Sequence, residues 1–145
     1  MSIEITNESA MECDLDSIVS VAEFAIAAMR LHPECDLEIT LVDEDRMSEL
    51  HVQWMDLPGP TDVLSFPMDE LTPDSAADGP GIIGDIVLCP QFAQAQAKTT
   101  LADELHLLTV HGVLHCIGFD HAEPEEEKAM FELQDRILRD WKNNQ

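Results

Sequence analysis

His111-Gly112-Val113-Leu114-His115-Cys116-Ile117-Gly118-Phe119-Asp120-His121 is the run on which the reading of this chain turns. It holds three of the six histidines in 145 residues. Residues four apart on an α-helix share a face, so the Cβ atoms of His111 and His115 stand roughly 5–6 Å apart. Two imidazoles at that spacing can converge on one ion. Gly118 can take positive φ and end the helix. The chain can then turn and bring His121 back as a third ligand. Three protein ligands leave one coordination position free, which marks a catalytic zinc-type site more than a closed structural one.

Working outward, Leu105, Leu108 and the aliphatics between His111 and His115 build the helix that carries these ligands. Thr99 or Thr100 caps it, with Asp103 or Glu104 completing a capping box. His106 lies five residues before His111 and off the ligand face. Cys116 points about 100° away from His115 and reads as a small buried apolar residue. After the bend, Pro124 followed by Glu125, Glu126 and Glu127 starts another helix. Its buried stripe is read as Met130, Phe131, Leu133, Ile137, Leu138 and Trp141.

Upstream, Ile3 to Thr6 and Leu37 to Leu41 alternate as half-buried strands do. Between them Asp14 or Asp16 caps a helix whose apolar residues run from Ile18 to Met29 at helical spacing. Asp43 caps a second helix, with Met47, Leu50 and Trp54 on one side. His32 reads as a loop residue and His51 as a boundary residue. Pro58-Gly59-Pro60-Thr61 is a turn, and Val63 to Phe66 a short apolar strand. Asp69 to Gly81 shows no periodicity and reads as an exposed connection, a candidate lid at the mouth of the site. Gly84 to Leu88 is the last strand, and Gln91 to Lys98 is helical. The order predicts one α+β domain, residues 1–145, with a small mixed sheet of about four strands packed on helices.

The composition is that of a soluble globular protein, with 45% hydrophobic and 26% charged residues. No apolar run approaches a membrane span, and the N-terminus has no secretory pattern. Cytoplasmic location with reduced cysteines is the expectation. The net charge is −23, and no Lys or Arg stands between Arg46 and Lys98. Such a surface favours basic partners and works against nonspecific attraction to phosphate backbones.

Three neutral imidazoles suit Zn²⁺, with Ni²⁺ and other divalent ions as alternatives. Hydrolysis is the natural chemistry of such an ion. The candidate bases are Asp85, at the start of its strand, and Asp62. Asp120 is placed to orient a ligand from behind, and Ser65 to bond a substrate. The spacing matches the metzincin protease pattern at the histidines and the glycine, but the general-base Glu of that pattern is Gly112 here. A further alternative is a non-catalytic acidic assembly factor with a structural metal.

The histidine run, together with Pro60-Thr-Asp-Val-Leu-Ser-Phe-Pro67 and Gly84-Asp85-Ile86, resembles the YbeY family of bacterial endoribonucleases. The resemblance extends from about Leu50 to Leu138. It implies a zincin-like fold with His111, His115 and His121 as metal ligands. It also implies metal-dependent cleavage of single-stranded RNA in 16S ribosomal RNA 3′ end maturation, small-subunit assembly and ribosome quality control. Family members often carry an Arg, thought to hold RNA, where this chain has Met55. With the acidity, that absence suggests that a basic small-subunit ribosomal protein or assembly factor brings the RNA to the site.

Overall fold

The structure, a computed structural model, describes residues 2–55 and 61–145, the Met55 side chain excepted. The expected turn at Pro58, Gly59 and Pro60 therefore lies outside the described residues. The elements are β1 (Ser2–Asn7), α1 (Leu15–Ala28), β2 (Asp36–Leu41), α2 (Glu44–Met55), β3 (Val63–Pro67), β4 (Ile82–Leu88), α3 (Pro90–Gln96), α4 (Leu101–Cys116) and α5 (Pro124–Asn143). The strands form one mixed sheet in the order β1-β2-β4-β3. β1–β2 and β2–β4 pair in parallel, and β3 lies antiparallel to β4 at the edge. This is the α+β architecture with four strands that the sequence predicts.

Strand alternation sends Leu37, Ile39 and Leu41 of β2 and Ile86 and Leu88 of β4 to one face, where α1, α4 and α5 cover them. Each such aliphatic, fully buried, stabilises the fold by roughly 1.5–3 kcal/mol. A register shift where β4 passes Asp36 and Leu37 keeps both Ile83 and Ile86 buried. Gly84 sits at that irregularity with φ +150°. A Cβ there would collide with the Phe66 carbonyl oxygen and come within 3.1 Å of Cys116 Sγ. The opposite face carries a smaller cluster of Val42, Met47, Leu64, Val87 and Cys89. Beside it is a cavity of about 410 Å³ bounded by Glu38, Thr40, Arg46, Trp54, Phe66 and Asp85, among others.

Asp14 caps α1 by accepting the Ser17 N–H. Asp43 is used otherwise than expected. Its carboxylate accepts the N–H of Ala10, while the Glu44 N–H at the start of α2 goes to Gln91 Oε1. Trp54 does not pack inward; it is 60% exposed, with its ring edge-on to Phe66 at 6.1 Å.

The Asp69–Gly81 connection is not a lid over the histidines. Its backbone is pinned elsewhere: the N–H groups of Asp74 and Ala76 bond the carbonyls of Met29 and Arg30 at the end of α1. Asp69 accepts the Ile82 N–H at 2.7 Å. Among the described residues, no helix is long and apolar enough to cross a membrane.

Candidate metal centre

The site is built on α4. Thr100 caps the helix by accepting the Asp103 N–H at 3.1 Å, and Thr99 donates to the Asp103 carboxylate at 2.8 Å. That second bond, chiefly, holds the Asp103 carboxyl below its ordinary range. The helix is enclosed on nearly every side. Gly112 faces β4, where a Cβ would meet Ile86 side-chain atoms at 3.0–3.2 Å. Gly112 thus lets α4 lie close on the sheet, and it points into that packing. A glutamate at this position could not serve as the base of a metzincin-like site without prising helix from strand.

The helix ends as its carbonyls are taken up by the returning chain. The Gly118 N–H bonds His115 O, and the Phe119 N–H bonds Leu114 O. Gly118 has φ +104°, and a Cβ there would meet nothing within 4 Å. Its glycine is therefore required by backbone conformation and not by space. Asp120 then accepts the His121 N–H at 2.7 Å and fixes the turn that returns His121.

The result is that one nitrogen from each of His111, His115 and His121 lies within 4.8 Å of the other two. Their ring centroids are 4.5, 5.1 and 5.5 Å apart. Burial is the first cause that pushes the His111 pKa down; the neighbouring His121 adds to this, and the bond to Gln134 and the charge of Asp62 oppose it. Burial likewise lowers His115, joined by His111 and His121 and opposed by Asp120. Neutral imidazoles with free lone pairs are what a metal requires. His111 Nδ1 also pairs with Gln134 Oε1 at 2.9 Å. That oxygen can only accept, so Nδ1 carries the proton and Nε2 keeps its lone pair for an ion. On spacing, charge and tautomer, these residues fit a divalent metal.

The three rings open onto a cavity of about 670 Å³ whose walls include Thr61, Asp62, Val63, Ser65, Pro67 and Phe119. Ser65 pairs with Ile86 across the sheet, which puts its side chain on this face. Asp62 lines the cavity too, its carboxylate accepting from Gln96 Nε2 at 2.6 Å. Asp85 does not join them. It pairs with Phe66 and Glu38, faces the other side of the sheet, and lines the opposite cavity. The sheet separates it from the histidines, so it cannot serve as their base. Asp120 acts on His121 through the backbone, by accepting its N–H.

Cys116 points away from the ligands and is buried against Gly84. Burial first, and the charge of Asp85 second, push its thiol up to about 12. His106 is likewise structural: its Nε2 pairs with Ser17 Oγ at 2.8 Å and its ring lies edge-on to Trp141.

Two residues at the site were not legible as such. Gln134 is a polar residue set in the apolar stripe of α5 between Met130 and Ile137, all three buried; its position in that stripe was the available signal. Phe131 was expected in the core but is 38% exposed, its ring centroid 6.0 Å from His121 and 6.2 Å from His111.

A mixed four-stranded sheet backed by a helix that presents two histidines, with a third returned by a glycine bend, defines a zincin-like α+β protein whose three histidines could hold a metal ion. The family model described as Endoribonuclease YbeY matches residues 3–142. The chain belongs to the YbeY family of endoribonucleases, enzymes that hydrolyse RNA. It is 59% identical to Endoribonuclease YbeY of Rhodococcus jostii, over 97% of this chain and 82% of that protein. The protein of the same name from Saccharopolyspora erythraea is 60% identical, over 98% of this chain and 81% of that one. Among solved structures, a solution structure from Thermotoga maritima matches with a TM-score of 0.65 and 29% identity, covering 98% of this chain and 93% of the other.

Proposed function

We propose that this chain, as one domain spanning residues 1–145, is a cytoplasmic, Zn²⁺-dependent endoribonuclease that cuts single-stranded RNA. In this reading His111, His115 and His121 hold the metal, and the RNA is the precursor of 16S ribosomal RNA at its 3′ end. The observation that carries it is the cluster of three imidazoles within 4.8 Å of one another on an open cavity, in a chain of an endoribonuclease family. When bound, a divalent ion of this kind lowers the pKa of water toward neutrality and polarises a phosphoryl oxygen.

The protein's own residues do the rest. Asp62 takes the proton from the attacking water, and the Gln96 amide aims its carboxylate. Ser65 bonds the substrate from the β3 wall. The tautomer-fixing hydrogen bond that His111 Nδ1 donates to Gln134 Oε1 orients the His111 ring. The net charge of −23 supports recruitment through a basic small-subunit ribosomal protein, whose surface would complement this one.

The test is metal analysis of the purified protein with cleavage of single-stranded and duplex RNA. His115→Ala should lose the ion and the cleavage while keeping its circular dichroism; loss of the fold instead would mark the metal as structural. Asp62→Asn should keep the ion and lose about 10²-fold or more in kcat, the range for a general base. Full activity in that variant would remove Asp62 from the mechanism.

A further inference from the structure

The histidine cavity poses a binding problem. Among the described residues, no Lys or Arg lines it. The chain around it is strongly acidic. Ion pairs to phosphates, the usual source of nucleic-acid affinity, are therefore not supplied by the walls. Something else must hold a strand there.

Phe131 stands beside His111 and His121, next to the residues that line the cavity. Four of the chain's five phenylalanines, Phe24, Phe66, Phe92 and Phe119, pack against one of the two hydrophobic clusters. Phe131 belongs to neither and is the exposed one. On α5 its neighbours Met130 and Gln134 turn inward. Its ring is tilted 36° from His121 and 42° from His111. Beside two of the imidazoles, part of this ring is left uncovered by the fold. It does offer a flat apolar surface within one nucleotide's reach of the place where a phosphodiester would be cut.

We propose that Phe131 is the platform on which a nucleobase next to the scissile phosphodiester stacks. Every base has a π-face, so such a platform grips RNA with little regard to sequence and without formal charge. The base must be unpaired to lie on the ring, so the platform selects single strands. Because the grip is apolar, affinity falls only shallowly with salt. This rests on the endoribonuclease reading and adds to it the group that holds the substrate.

The experiment uses the full-length, metal-loaded protein and short RNAs carrying the fluorescent base analogue aminopurine at successive positions, mixed rapidly so that binding is read before cleavage. The wild type should quench the fluorophore at one position beside the cut. Phe131→Ala and Phe131→Leu should lose that quenching, and Phe131→Trp should keep it. Phe131→Ala should raise KM roughly 5- to 150-fold, the loss expected for one stacked base, with kcat nearly unchanged and full metal content. An abasic nucleotide at the same position should raise the wild-type KM similarly and add nothing in Phe131→Ala. Unchanged quenching in Phe131→Ala, a leucine variant equal to wild type, or metal lost with the ring would overturn the platform. If the wild type cuts RNA while these results fail, only the platform falls; if it neither cuts nor quenches, the endoribonuclease reading falls with it.

Discussion

Replacing Gln134 with leucine isolates the support behind the metal centre. The side chain is 6% exposed, and its Oε1 lies 2.9 Å from His111 Nδ1. Leucine fills a similar volume and removes the acceptor. The Nδ1 proton of a half-buried ring is then left unpaired, which costs about 1–3 kcal/mol. The ring is also released to the other tautomer, in which Nε2 bears the proton and cannot ligate. Loss of such supporting partners lowers metal affinity by about 10–100-fold, or roughly 1.4–2.7 kcal/mol, in line with the first figure. Competition titration of Zn²⁺ against a chelator measures this directly. Gln134→Leu should bind 10–100-fold more weakly on that scale, and Gln134→Glu, which keeps an acceptor, should stay close to wild type. A leucine variant that binds as tightly as wild type would refute the reasoning, because the hydrogen bond would then hold nothing in place.

Other outcomes follow from the packing. Gly84→Ala places a Cβ against the Phe66 carbonyl at positive φ. It should cost about 3 kcal/mol or more and lower the melting temperature by roughly 6–12 °C, read by calorimetry. Cys116, its thiol pushed up to about 12, stays protonated at neutral pH. It should resist iodoacetamide in the folded protein and react in urea, as mass spectrometry of the peptides will show. Burial lowers the His106 pKa below its unfolded value, so the fold holds the neutral ring and the unfolded chain takes up a proton first. The resulting stability is present above the unfolded pKa of about 6.5 and is lost as pH falls through that value toward the lower, folded one. Urea midpoints should therefore drop less between neutral and mildly acidic pH in His106→Gln than in wild type.

The sequence exposed those features that several physical signals encode at once. The ligand helix was legible because cap, apolar period, histidine spacing and terminal glycine all describe the same segment. Asp85 misled because β4 is apolar on both sides of it, so alternation did not reveal which face it joined; the pairing of Phe66 with Asp85 settles that. Phe131 misled because an aromatic one step from Met130 looks like core, although one step on a helix is about 100° of rotation. The Asp69–Gly81 connection looked free because its anchors are backbone bonds to the end of α1, and no side-chain pattern announces those. Gln134 shows the converse: its polarity within an apolar stripe was visible, but its partner is 23 residues away in sequence.

The ligands differ in what carries them. His111 and His115 ride on α4, a helix wedged among α1, α3, α5 and the sheet, whereas His121 projects, exposed, from the short turn leading to α5. Enclosed helices open only near the global unfolding cost, and exposed turns open far more cheaply. The centre is thus an anvil with a latch. An ion held by all three would depart as the latch lifts, while the two helix-borne rings hold their positions. Reloading would then require ordering one side chain and not three, and the pocket would keep its shape while empty.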